Sequence, residues 1–395
     1  VSHTKGFAKG FDWKTFAADG TVDWAAVEAA FPYVAAMAAC IQDPVFHAEG
    51  SAWIHTKMVM AELLADPQFQ ALPPQRKTVM GLAVLWHDAS KPETREVVFD
   101  QEAGRERISH PHHASRGAMK SWRDLWRAGV PLNIRFAVFS LVMAHMQAFH
   151  VLQKPNIQHQ LARFSINGSW YELTMLAKAD NRGRICPDKG QVDDEMALLR
   201  LYAEENHCLH QPWRFESDQA RLRFGRGVKD SLFFNPPPPT GSRVVVVSGL
   251  PGMGKDTYIE RHLKGFAHVS LDLARDELDI APTDNQGHVA QATAEACRVH
   301  LRAKAPFVFN ATNLTRLQRS KIIDLAIAYD AHVEIHALDV PEKRLRKNNS
   351  GRKLPVPDAV IDRMIAKWEP PTPLEAHRVV WIGEDLEPVP DAIQI

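Results

Sequence analysis

The chain has little cysteine and no net charge. Its four cysteines, Cys40, Cys186, Cys208 and Cys297, lie far apart with no Cys-x-x-Cys pair. That argues against a disulfide scaffold or a cysteine zinc site, and it points to a reducing compartment. Lysine plus arginine number 47 and aspartate plus glutamate also 47, so the formal charge is zero. There is no global basic surface of the kind that non-specific duplex binders carry; only a local basic groove fits. The N-terminus lacks a basic-then-apolar signal pattern, and no apolar run approaches about 20 residues. The expectation is a cytoplasmic protein without a membrane partner. Internal repeats are lacking too. What the chain has is length and histidine: 395 residues suggest two domains, and 19 histidines are many.

The most informative stretch is Ser248-Gly249-Leu250-Pro251-Gly252-Met253-Gly254-Lys255-Asp256-Thr257. It follows the apolar run Val244–Val247, which reads as a buried parallel strand. Strand, glycine loop, lysine and helix form the phosphate cradle of a P-loop. The glycines let backbone N–H groups turn around a polyphosphate, and Lys255 adds a point charge for the β/γ-phosphates. ATP or GTP binding is expected, with contacts from Gly249, Pro251, Gly252, Met253, Gly254, Lys255, Asp256 and Thr257. The P-loop signature places Ser or Thr after the lysine to hold Mg²⁺. Here that position is Asp256, with Thr257 one later.

The run Pro236-Pro237-Pro238-Pro239 is the obvious seam, a semi-rigid spacer over 236–242. Residues 1–235 then form one domain and 243–395 the other. Before the seam, segments 53–65, 75–88, 115–126, 133–150, 170–181 and 193–205 carry helical periodicity. After it, short strands at 243–248, 268–271, 307–310, 332–337 and 378–382 alternate with helices. The expected fold is an all-α domain followed by an α/β domain with a parallel, doubly wound sheet.

In the first domain His87-Asp88 ends a helix that Pro92 stops. His55 begins an earlier helix and Asp180 ends a later one. Carboxylates with imidazoles suit one or two divalent transition metals with open water positions, hence hydrolysis. His113 and His145 fit a second ion, with Asp88 bridging. His110 and His112 read as solvated loop histidines, and His47 reads equally as cleft or structural. The ordered set His55, His87-Asp88-Ala89-Ser90-Lys91-Pro92, His113-x-x-x-Gly117, His145 and Asp180 resembles the HD phosphohydrolase superfamily over roughly 43–184. The Lys-Pro-Glu-Thr-Arg tail is similar to HD domains attached to tRNA nucleotidyltransferases. The resemblance implies His55, His87, Asp88 and Asp180 as ligands of one metal (Mn, Ni, Co or Zn), and His113 and His145 for another. It implies Lys91 on the substrate phosphate, assisted by Arg184.

In the second domain Asp272 closes the second strand, where a carboxylate faces the cleft and suits a base for phosphoryl transfer. Arg275 shares its helical face and suits an acceptor phosphate. Arg316 and Arg319 follow the third strand. The basic stretch Arg344-Leu345-Arg346-Lys347-Asn348-Asn349-Ser350-Gly351-Arg352-Lys353 reads as a lid. This half resembles the phage-type 5′-OH polynucleotide kinases over roughly 243–375. The resemblance implies Asp272 as general base, Arg275 on the acceptor's adjacent phosphate, and Lys255 and Arg352 on the γ-phosphoryl, with ATP and Mg²⁺. Three positions depart from that pattern. They are Asp256, Asn310-Ala311 where an Asp is expected, and Asn348 where the lid has an arginine, leaving Arg346 or Lys347 as substitutes.

An HD hydrolase joined to a 5′-kinase resembles the bacterial HD-Pnk type of RNA end-healing enzymes. That resemblance implies RNA or DNA ends as substrates and a separate nucleic-acid ligase as a candidate partner. Two other readings stay open at this point. One is an HD nucleotidase fused to a nucleoside or metabolite kinase. The other is an HD hydrolase gated by an ATP-sensing P-loop domain without phosphotransfer.

Overall fold

The computed structural model describes residues 11–102, 104–187, 190–281, 284–285 and 287–390. Their contacts divide them into two compact units, one ending at Trp213 and the other starting at Arg214.

The first unit is built around the helix Pro74–His87. Proline at its start costs no hydrogen bond, and every residue from Thr78 to His87 is buried. Helices Ala52–Ala65, His113–Arg127, Leu132–Ala144 and Trp170–Arg182 are the principal elements around it. Trp86, Trp122 and Trp170 lie fully buried in this core. Gly117 lets two of the helices touch: a Cβ there would sit 2.9 Å from the Trp86 carbonyl oxygen. This close approach sets His113 beside His87. The stretch Leu132–His150 is long and apolar enough, by length and composition alone, to cross a membrane. Its apolar side chains are used in the core instead, with 67% of the stretch buried. The helix ends at Ala144 rather than at 150, so His145 stands at its end, followed by a short 3₁₀ turn, Ala148–His150.

The first unit is not purely helical. Strands β1 (Glu96–Asp100) and β2 (Arg105–Ser109) form an antiparallel hairpin. The expectation of an all-α domain is corrected here. The β-branched pair Val97-Val98 and the positive φ of Gly104 favour a hairpin over a helix.

The second unit has a five-stranded parallel sheet of β3 (Arg243–Ser248), β4 (Ala267–Ser270), β5 (Phe307–Asn310), β6 (His332–Leu338) and β7 (Arg378–Ile382). Its order is β4-β5-β3-β6-β7. The chain first moves from β3 to one side and then to the other, so the switch point lies at the C-terminal end of β3. The valines Val244 to Val247 are buried on both faces, as a central parallel strand requires. The helix Asp218–Gly225 belongs to this unit although it precedes the prolines. Arg221 Nε donates to the Pro373 carbonyl at 3.2 Å, and Gly225 lies against the Leu374 carbonyl, where a Cβ would meet oxygen at 2.2 Å. The proline run 236–239 is therefore a stretch within the second unit, and the division by contacts falls ahead of the seam read from composition.

Arg319 is fully buried and donates to both carboxylate oxygens of Glu375, at 2.7 and 2.9 Å, and to the carbonyls of Asn313 and Glu369. It clamps the loop after β5 and is not a phosphate-binding group. Glu375→Ala strands this guanidinium in the core, and a broken buried pair costs about 3–5 kcal/mol. The expected result is a clear drop in the urea midpoint of nucleotide binding. An unchanged midpoint would contradict the clamp.

Candidate functional site

In the first unit the structure brings all six ligand candidates together around Asp88. Its Oδ2 lies 3.3 Å from His87 Nε2 and 3.7 Å from His55 Nε2. Its Oδ1 lies 3.5 Å from His113 Nε2. One carboxylate thus faces imidazoles on two sides. His55 Nε2 also lies 3.1 Å from Asp180 Oδ1, and His113 Nε2 lies 3.1 Å from His145 Nε2. Each of these six residues is less than a tenth exposed.

The tautomers are set by the backbone. His87, His113 and His145 donate from Nδ1 to the carbonyls of Val84, His110 and Val142, at 2.8, 2.7 and 2.8 Å. Their Nε2 lone pairs are therefore bare and point inward. His113 and His145 present two such lone pairs to each other, an arrangement that repels unless a cation sits between them. His87 Nε2 has no hydrogen-bond partner among the described residues. This donor set fits a divalent transition metal. Burial alone would raise Asp88, but its His87 and Lys91 neighbours outweigh it and hold the carboxylate well below its usual range. Burial pushes His145 down to about 3, aided by His113 and His87.

Lys91 Nζ sits 2.7 Å from Asp88 Oδ2 and donates to Gln42 Oε1 at 2.5 Å. Arg184 binds Asp180 Oδ1 at 3.0 Å and packs over the Phe149 ring. Two members escape a sequence reading. Glu49 Oε1 lies 3.0 Å from His55 Nδ1 and 2.8 Å from His47 Nδ1. Gln42 holds Lys91. Neither has a local signal, since each acts through residues distant in sequence. His110 is no solvated histidine. Its Nδ1 donates to the Lys91 carbonyl at 3.0 Å, and burial pushes its ring down to about 4.

In the second unit the phosphate loop leaves β3 at the switch point. Gly252 and Gly254 take φ of +84° and +89°, and Lys255 opens the helix Lys255–His262. Gly252, Met253, Gly254, Lys255, Asp256 and Thr257 line a cavity of about 690 Å³ with Arg344, Asn348, Arg352 and Lys353. Gly249 and Pro251 are not among its lining residues, and the Gly249 N–H is used on the Thr312 carbonyl at 3.0 Å. Lys255 Nζ donates to the carbonyls of Gly249 and Leu250 at 3.0 and 3.2 Å. Burial pushes its ammonium down to about 8, a trend that the charge of Asp256 opposes.

Asp272 is the second residue of the helix Leu271–Leu278, which Ser270 caps. It is paired with Arg275 three residues on, so the expected base and the expected acceptor-phosphate residue neutralise each other in the free protein. The lid stretch forms the helix Glu342–Ser350. Arg346 does not replace the lid arginine: it binds Glu342, Asp358 and Asp362. Arg344 and Lys353 line the cavity instead. Asn348 Nδ2 donates to the Gly252 carbonyl at 2.9 Å.

With this geometry in place, comparison with known proteins is informative for the second unit. Residues 244–371 match the family model described as an AAA domain. The match lies within the second unit and includes the phosphate loop. No curated protein matches the chain. Among solved structures, a gluconokinase from Sinorhizobium meliloti 1021 is similar at 20% identity over 37% of this chain and 84% of that one, with a TM-score of 0.28. A sugar kinase from Janibacter sp. HTCC2649 is similar at 20% identity over 36% and 86%, with a TM-score of 0.29. Kti12 of Chaetomium thermophilum, in complex with ADP-AlF3, is similar at 16% identity over 35% and 88%, with a TM-score of 0.28. Lys255 and the loop residues that line the cavity lie within the matched stretch.

Proposed function

We propose that the protein heals broken nucleic-acid ends, removing a 2′,3′-cyclic or terminal phosphate in the first unit and phosphorylating a 5′-OH in the second. The observation that supports the reading is that one chain holds two unlike sites. One is a buried imidazole–carboxylate cluster with inward-facing lone pairs, and the other is a phosphate loop under a basic stretch.

In the first unit His55, His87, Asp88 and Asp180 would hold one ion, and His113 and His145 a second, with Asp88 between them. A bound divalent ion supplies a water acidic enough to attack phosphorus near neutral pH. Lys91 binds the phosphate oxygens, and Arg184 keeps Asp180 oriented. Glu49 fixes His55 by accepting from Nδ1. Loss of such an outer partner costs about 10–100-fold in metal affinity. Glu49→Gln is expected to lower Mn²⁺ affinity within that range in a direct titration, while the thermal unfolding of the metal-free protein shifts little. Unchanged affinity would remove Glu49 from this role.

In the second unit Lys255 passes from its two carbonyls to the β/γ-phosphates. Asp272 takes the proton of the 5′-OH, and the oxygen attacks the γ-phosphorus in line, with ADP as leaving group. Arg275, released from Asp272, binds the acceptor's neighbouring phosphate, and Arg352 stabilises the transferring group. The test is label transfer from γ-labelled ATP to a 5′-OH oligonucleotide, with a sugar and a nucleoside as parallel acceptors. Label on the oligonucleotide is expected. Label only on a small acceptor would overturn the nucleic-acid reading.

A further inference from the structure

The phosphate loop carries a carboxylate where loops of this kind carry a hydroxyl. Asp256 is the second residue of the helix Lys255–His262 and lines the same cavity as Lys255 and Thr257. Across from it, Asn310 ends β5 in register with Val247 of β3. Asn310 Nδ2 donates to Asp256 Oδ1 at 2.6 Å and lies 3.2 Å from His268 Nε2. Asn310 is 8% exposed, and its Oδ1 is buried with no hydrogen-bond partner among the described residues. P-loop sites commonly set a hydroxyl on the loop and a carboxylate on a neighbouring strand, both serving Mg²⁺. In this chain the two chemistries have changed places: the anion is on the loop and the neutral oxygen is on the strand.

We infer that Asp256, held by the Asn310 amide, is the direct protein ligand of the nucleotide-bound Mg²⁺, with Asn310 Oδ1 as acceptor for a water of that ion. The inference rests on nucleotide binding in the cavity and not on phosphotransfer. Its physical content is a charge. A hydroxyl is neutral whether or not the ion is present. A carboxylate repels a bare polyphosphate and attracts one that brings Mg²⁺, a hard cation that prefers anionic oxygen. Nucleotide affinity therefore depends on Mg²⁺ more steeply here than with a hydroxyl at this position.

The experiment titrates the full chain with a fluorescent ADP analogue, in EDTA and in Mg²⁺, for the wild type, Asp256→Ser and Asn310→Ala. Asp256→Ser is expected to tighten metal-free binding and to shrink the Mg²⁺-dependent gain by about tenfold, the scale on which metal-site partners act. Asn310→Ala keeps the carboxylate but frees it, and a smaller loss in the same direction is expected. Mn²⁺ electron paramagnetic resonance with ADP present reads the same site directly, and weaker Mn²⁺ binding is expected in both variants. An Mg²⁺-dependent gain as large in Asp256→Ser as in the wild type, with unchanged metal-free binding, would overturn the inference while leaving nucleotide binding intact. A wild type that binds no nucleotide in either buffer would instead overturn the nucleotide site itself.

Discussion

Asp88→Asn is expected to reduce phosphate release from oligonucleotides ending in a 2′,3′-cyclic phosphate or a 3′-phosphate by about 10²–10³-fold, the scale of losing one preorganised electrostatic group. The substitution keeps the shape of the side chain and removes its charge. Asp88 is the only residue of the cluster that faces His55 and His87 with one oxygen and His113 with the other. An amide cannot act as an anionic bridge, and it presents an NH₂ group to imidazole nitrogens or to Lys91. Metal content measured on the purified protein is expected to fall along with the activity. Label transfer from ATP to a 5′-OH end is expected to stay within about twofold of wild type, because Asp88 and the phosphate loop belong to different compact units and sites without shared partners act additively. Equal loss of both activities would contradict two independent sites. A variant that keeps its metal and its phosphate release would remove Asp88 from the chemistry.

Asp272→Ala is expected to reduce label transfer to a 5′-OH oligonucleotide by about 10²–10⁴-fold, the contribution typical of general base catalysis. The value of this variant lies in its exposure. The Asp272 side chain is 85% exposed and pairs with Arg275 on the same helix. Such a surface change alters stability by about 0.5 kcal/mol or less. Loss of transfer at unchanged fluorescent-ADP affinity and unchanged melting temperature is then a loss of chemistry. Asp272→Glu is expected to recover part of the rate. Full transfer in the alanine variant would assign the proton to another group and reduce Asp272 to a helix-terminal acid that pairs with Arg275.

Much of the second unit could be read from the chain because its signals are local. Four successive valines, a glycine loop and a lysine lie within fifteen residues, and the strands came out within a residue of their observed bounds. The six residues read as ligands in the first unit do lie together, because each sits at or within a turn of a helix end and the helices bring those ends together. What stayed hidden depends on partners distant in sequence. Arg319 has no role legible in the sequence until Glu375 is seen beside it. Arg346 reads as a lid residue until Asp358 and Asp362 are seen to hold it. Glu49 and Gln42 carry no pattern of their own. The hairpin β1–β2 is too short, at five residues a strand, to stand out among helices. The division at Trp213 was masked by the prolines, whose local stiffness says nothing about which side the preceding helix joins.

The helix Glu342–Ser350 rests on the apex of the phosphate loop. The Leu345 carbonyl fills the space where a Gly252 side chain would be, and the Asn348 amide holds the Gly252 oxygen. Arg352 leaves that helix only two residues after its end. Lid and loop thus share one mechanical joint. On the kinase reading proposed above, any swing of the arginine that carries its helix along would also distort the backbone meant to grip the phosphates, so the opening of the lid and the loosening of spent ADP would become a single kinetic event.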